Sequence, residues 1–377
     1  MKTYFITFVT ACSLMSLGAR AATWQVVSSP NGPRGINELH GVSALTENDV
    51  WAVGVSEDTE RLHAITLVEH WNGTQWSVVP SPNPSSTQNA LNAVAAVSAN
   101  DVWAVGFAAI GSNPILIEHW DGNAWSVVPN PPSSKPITDL TGLAMIAAND
   151  IWAVGIGTVE DELGTATLHW NGTAWSVVPS PNVVPEVDNT LAGVAAVASN
   201  DVWAVGTQQP TSLTDPHTLI LHWDGSQWSI VPSPNFGGPG VGNHLVGAAA
   251  VSASDVWAVG SSEAGPLTEH WDGSRWSVVQ NPSGGSEVPV AFYSAVALAS
   301  NNVWTVGEQR FCSSCGLSQT LTERWNGRKW GIVSSPNVGS DHNELFAADA
   351  TPGGTLWSVG TVYHYPKQQT LIQRRLP

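Results

Sequence analysis

At 377 residues the chain is long enough for two ordinary domains or for one large repetitive one. Only 11% of its residues are charged, while 35 Gly, 25 Pro and 20 Trp stand out, a profile of short strands joined by tight turns that argues against a helical protein. The net charge of −17 repels phosphate backbones and argues against nucleic acid as a partner.

Residues 1–21 contain Lys2, an apolar run from Tyr4 to Leu17 and the triplet Ala19-Arg20-Ala21, which predicts a secretory signal peptide with an A-x-A cleavage site. Val9-Thr10-Ala11-Cys12 resembles a lipobox and leaves lipid attachment at Cys12 as an alternative. No later stretch is apolar for long enough to span a membrane. Loss of Lys2 and Arg20 would move the charge from −17 to −19, and the mature protein is expected to be soluble and extracytoplasmic, either periplasmic or extracellular.

From residue 22 onward one pattern recurs: a small-apolar strand, Asp-Val-Trp-Ala-Val-Gly, a variable stretch, Thr-Leu-x-Glu-His-Trp, Asn-Gly or Asp-Gly, and Trp-Ser-Val-Val-Pro-Ser-Pro-Asn. Its first tryptophan appears seven times, as Trp51, Trp103, Trp152, Trp203, Trp257, Trp304 and Trp357. The second appears six times, as Trp71, Trp120, Trp170, Trp223, Trp271 and Trp325, and each is followed five residues later by a third. Each unit reads as four strands, with Asn72-Gly73 and its five equivalents as type I′ hairpin signals between strands three and four. The last unit ends after its third strand, Thr370–Arg375, and the orphan Trp24-Gln25-Val26-Val27 at the other end is the missing fourth.

The expected fold is therefore all-β: residues 22–377 form one seven-bladed β-propeller, four antiparallel strands per blade, closed by the N-terminal strand completing the last blade. Ala-rich and Gly-rich first strands suit crowding at a central axis, and the tryptophans read as packing between blades.

The order of strand, Val-Trp-Ala-Val-Gly, loop, aromatic-ended strand, turn and Trp-x-Val resembles the kelch-type repeat over the whole mature chain, although one glycine instead of a pair ends strand two and Trp replaces the usual Tyr. The segment His119-Trp120-Asp121-Gly122-Asn123-Ala124-Trp125 also resembles the blade motif of secreted bacterial seven-bladed lectins. Either resemblance implies the fold more than a function.

Several constellations could carry chemistry. His70, His119, His169, His222 and His270 each precede the second tryptophan, and each can reach the aspartate that opens strand two, namely Asp49, Asp101, Asp150, Asp201 and Asp255. Five-fold repetition marks these as structural pairs, replaced by Arg324 with Asn302 in unit six and by Arg374 with Thr355 in unit seven.

Asn37, Asn89, Asn189, Asn243 and Asn343 fall just before strand one, near the channel mouth on the upper face, the face shared by the loops from strand two to three and from strand four to the next blade. They read either as a ring of amides that binds a sugar or a cation, or as caps on their own loops. Cys312 and Cys315 read first as a disulfide in the upper loop of unit six. The alternative is a zinc site completed by His342 and His364. Tyr363-His364-Tyr365 with His342 also resembles the ligand set of a copper oxidase built on a kelch-like propeller.

Upper-loop acids (Glu57, Asp58, Glu60, Glu160, Asp161, Glu162, Glu186 and Asp188) could supply a carboxylate pair for glycoside hydrolysis, but no sialidase-type Asp box or Arg triad accompanies them. No cofactor is expected. The near-identical units point to a monomeric, non-catalytic binding propeller for carbohydrate or an extracellular protein; the alternative is an enzyme with its site on the upper loops of units six and seven.

Overall fold

The computed structural model describes residues 22–58, 63–159, 162–183, 187–210, 215–283, 289–311, 317–364 and 367–377. They form seven four-stranded antiparallel sheets and no helix. Blade one comprises Ile36–Thr46, Asp49–Asp58, His63–Trp71 and Trp76–Val78, and the order repeats through blade six. Blade seven takes Asn343–Ala350, Leu356–His364 and Lys367–Arg375 from the C-terminus and Trp24–Val27 from the N-terminus, paired from Trp24↔Arg375 to Val27↔Ile372. The ring is closed as expected: the first described strand supplies the last blade's missing edge.

Every first strand carries a bulge. Its register slips between Leu39 and Gly41 in blade one and between Leu91 and Ala93 in blade two, and likewise at the equivalent step of each blade. The bulge explains the glycine that ends the x-Trp-x-Val-Gly segment in all seven units. A Cβ on Gly54 would lie 2.0 Å from the carbonyl oxygen of Glu38, and one on Gly206 would lie 1.9 Å from that of Thr190. Only a residue without a side chain admits the bulged backbone so closely.

The hairpin between strands three and four differs from the type I′ expectation. Trp71 pairs with Trp76 and the Asn72 N–H donates to Gln75 O, so the two central residues are Gly73, at φ +93°, and Thr74. Asn72 stands just outside the turn, where its Oδ1 accepts the N–H groups of Thr74 and Gln75.

The tryptophans pack between blades, the first of each unit against the second and third of the next. Trp152 lies 4.9 Å from Trp223 and 5.2 Å from Trp228, and the other interfaces repeat this. Each ring buries about 150–250 Å², roughly 4–6 kcal/mol of gross apolar transfer at ~25 cal/mol per Å². Between blades six and seven, where the second tryptophan is missing, the Arg375 guanidinium lies 4.6 Å from the centre of Trp304, which also meets Trp24 at 6.0 Å. The Pro-Ser-Pro-Asn link has a structural role too. In blade one Asn83 Oδ1 accepts the N–H of Thr66 and Ser81 bonds its hydroxyl, and the same trio recurs in blades three, four, six and seven.

Candidate functional site

The bulges decide what faces the axis. The extra residue of each first strand lines the central channel: His40, Asn92, Thr141, Ala192, Val246, Tyr293 and Phe346. The cavity they surround is about 160 Å³. Phe346 stands edge-on to Tyr293 at 5.6 Å and to His40 at 5.9 Å, so blades six, seven and one give the channel an aromatic wall. Asn92 and Thr141, from blades two and three, make its wall polar instead.

One step toward the upper face, the equivalent positions are Glu38, Ala90, Asp139, Thr190, His244, Ala291 and Glu344. Glu38 bonds His40 Nε2 at 2.9 Å and accepts from Gln368 Nε2 at 2.5 Å. Asp139 accepts from Asn92 Nδ2 at 2.8 Å, yet burial outweighs that bond and the Leu140 N–H and pushes its carboxyl up to about 6. Burial holds the His244 imidazole below its ordinary value.

The densest chemistry lies at the inner, upper edge of blade six. Glu308 is fully buried opposite the small Ala291, and its Oε1 accepts from Tyr293 Oη at 2.7 Å and from Arg310 Nε at 2.8 Å and Nη2 at 2.5 Å. Burial opposes ionisation of Glu308, but the bonds from Arg310 and Tyr293 prevail and its carboxyl titrates below the usual range. Glu344 of blade seven lies beside Glu308, and burial and that neighbouring charge push it up to about 7. Repulsion between two neighbouring carboxylates disfavours ionising both, and Glu344 is the one that keeps its proton to the higher pH. Burial and the Glu308 charge drive the Tyr293 phenol well above its ordinary range, which keeps it a donor.

Two cavities flank this edge. One of about 270 Å³ between blades five and six is lined by His244, Ser261, Ser262, Tyr293, Glu308 and Arg310, among others. The other, of about 210 Å³, lies between blades six and seven behind Phe311, Leu317 and Asp341.

The sequence-derived candidates fall into place as follows. All five asparagines of the proposed ring are buried at the start of strand one, with their amides turned into the loops. Asn89 Oδ1 accepts the Ser85 N–H and its Nδ2 donates to Ala64 O and Ser85 O; Asn189 binds Val183 N–H, Val183 O and Val187 O. Asn243 binds Phe236 N–H and Val241 O, Asn343 binds Val338 N–H, Val338 O and Asp341 O, and Asn37 donates to Arg34 O and Gln368 O. In each of these blades the residue after the asparagine is the one that faces the axis, because a single step along a strand changes sides. That alternation, read together with the bulge, is the signal that would have found Glu38, His244 and Glu344. Nothing local marks Glu308.

The five His–Asp pairs form as expected, at 2.8–2.9 Å, with Arg324 Nε on Asn302 Oδ1 at 2.8 Å in blade six. In blade seven Arg374 instead lies over the rings of Trp71 and Trp357, at 5.5 Å and 5.3 Å. Cys312 and Cys315 lie outside the described residues, as do Glu60, Glu160, Asp161, Glu186 and Tyr365. His342 faces Ser318 at 3.2 Å and Tyr363 edge-on at 6.1 Å, whereas His364 turns to Asp341 at 2.8 Å. Among the described residues no three or more His, Cys, Asp or Glu side chains are grouped to hold a metal ion. Asp188 Oδ1 caps the Leu163 N–H.

A second set of residues escaped sequence reasoning. Glu69, Glu118 and Glu269, before the repeated histidine, are wholly buried, and no group among the described residues bonds their carboxyls. Burial alone pushes them up to about 9, 8 and 8. Glu323 differs in accepting from Asn281 Nδ2 and Ser283 Oγ of the preceding link. Leu168 and Leu221 take this position in blades three and four and Gln373 in blade seven.

No protein-family model matches the chain and no curated protein matches it, so the kelch-like resemblance rests on the repeat pattern. Solved structures do match. YCF48 bound to D1 peptide is 16% identical with a TM-score of 0.58, covering 94% of this chain and 95% of that one. Polysaccharide lyase Uly1 is 10% identical with a TM-score of 0.56, covering 97% and 94%. SapL1 lectin in complex with alpha methyl fucoside is 16% identical with a TM-score of 0.47, covering 79% and 97%. At these identities the likeness is one of fold.

Proposed function

We propose that this protein is an exported, non-catalytic binding module that takes a carbohydrate or a surface protein at the upper mouth of its axial channel. One observation carries the reading: the blades repeat most of their rim chemistry, with the first tryptophan in all seven and the His–Asp pair in five, yet no two present the same side chain at the bulge that faces the axis. Repeated positions build the ring, and the singular ones meet a ligand. Export through residues 1–21, a Cys312–Cys315 disulfide and a monomeric state belong to the same proposal.

A panel of immobilised glycans and surface-protein peptides tests it. The wild-type protein should retain at least one ligand, and Tyr293→Ala together with Phe346→Ala should release it while the melting profile stays intact. Ligands retained equally by that double variant would place binding elsewhere.

A second reading, an enzyme acting at blades six and seven, draws on the Glu344 carboxyl, which titrates at about 7 where a general acid would be poised. Release of shortened products from retained glycans, abolished in Glu344→Gln, would establish it.

A further inference from the structure

The cavity of about 270 Å³ between blades five and six opens beside Tyr293, the ring it shares with the axial channel. It sits at the lower end of the size range of small-molecule sites, with room for one ring but not for a folded peptide segment. Its polar groups come from two blades and include a prearranged ion pair. Arg310 is half exposed and spends two of its five N–H donors on Glu308, leaving the others for the cavity. Glu308 is wholly buried and lines the same cavity, with an Oε2 that no N–H or hydroxyl of the described residues bonds.

Glu308 and Arg310 neutralise each other, Glu344 keeps its proton up to about 7, and burial disfavours the charged form of His244, which leaves Glu263 as the uncompensated charge on the lining. A ligand carboxylate would face Glu308 and the rim residue Glu263, and a ligand ammonium would face Arg310. Uncharged hydroxyls can use donors and acceptors together, and the cost of burying the ions has been met in the folding of the blade. Ser261 adds a hydroxyl from the opposite wall, where the Ser262 hydroxyl donates to Phe236 O and accepts the Ala264 N–H.

We infer that this cavity is a single subsite for one uncharged hexose residue of a glycan, held by Arg310, Ser261 and His244 beside the ring of Tyr293. The inference rests on the axial-mouth reading above and narrows it to one ligand class and one site per chain.

Isothermal titration calorimetry tests it, using neutral hexose, uronate and amino-sugar oligomers at pH 6.5 and 8.5. One neutral oligomer should bind with a stoichiometry of one and at least ~10-fold more tightly than its charged counterparts. Arg310→Met and Ser261→Phe, which fills the cavity without touching the ion pair, should each cost ~10-fold or more. Lys135→Ala, in the separate cavity of about 300 Å³ over blade three, should change nothing.

The groups facing Glu344 are Glu308, Arg310, Tyr293, His342 and Ser318. Its ionisation above about 7 adds a second negative charge to the ion pair, so affinity should fall at pH 8.5, and Glu344→Gln should abolish that fall. A charged oligomer that binds more tightly with the same dependence on Arg310 would overturn this inference and leave the axial-mouth reading standing. Several sites per chain, or affinity indifferent to both cavity variants, would overturn both. Absence of binding by every neutral oligomer would overturn this inference alone, because the peptide panel judges the wider reading separately.

Discussion

The rim and the axis of this propeller follow opposite rules. At the rim the same side chains recur blade after blade: an indole between two indoles of the next blade, a histidine on an aspartate, a threonine capped by the link. At the axis the backbone recurs, bulge and glycine included, while the bulged side chain runs from histidine through alanine to phenylalanine. Rim side chains fill a fixed space against a neighbouring blade, so exchange leaves a void or a clash. Axis side chains border an open channel and answer to no such constraint.

Substitutions of graded severity can break or sharpen that contrast. The largest effect belongs to Trp152→Ala at the rim, expected to cost about 3–5 kcal/mol and to lower the denaturation midpoint accordingly. A loss below ~1 kcal/mol would remove the tryptophans from their place as the principal glue.

Next comes Glu69→Leu, which copies what blades three and four already carry. Glu69 is protonated when folded, up to about 9, and ionised when unfolded above about 4.3. The unfolded state therefore binds fewer protons between those values, and wild-type stability should be full below the lower one and fall as pH rises toward the upper one. The leucine variant should be more stable than the wild type at pH 8, with a flatter stability–pH curve; an unchanged slope would show the carboxyl to be otherwise satisfied.

The same exchange made at both places tests the contrast directly. Val205→Thr puts a hydroxyl into a fully buried interface and should cost about 1–3 kcal/mol. Val246→Thr, at the bulge beside the channel, should stay within about 0.5 kcal/mol. Equal losses in urea unfolding would erase the distinction. The smallest effect is expected from His222→Gln: its pair with Asp201 is partly exposed, and the loss should be about 0.2–1 kcal/mol, read most clearly from a double-mutant cycle with Asp201→Asn.

Almost all of the fold was legible in the chain. Seven copies of the x-Trp-x-Val-Gly segment, four of them Val-Trp-Ala-Val-Gly, counted the blades, and the orphan Trp24 strand matched to the truncated last unit predicted the closure. The spacing of each histidine from its aspartate predicted the pairs that form. The site was legible only in its neighbourhood. Asn37 and its equivalents marked the right height on strand one, but the residues that follow them face the axis, because a bulge and a one-residue step exchange the two sides of a strand. Glu69 and Glu308 were invisible as buried acids, since burial is a property of what the neighbouring blade or strand brings against a side chain.

By itself the sequence determined the number of strands, their order and the manner of closure, because repetition, glycine placement and periodicity are local quantities written along the chain. Only the tertiary structure decided which residues meet at the axis and which carboxyls keep their protons. Tyr293, Glu308, Arg310 and Glu344 come from three different strands, and their charges depend on distances and burial that exist only once blades six and seven lie side by side.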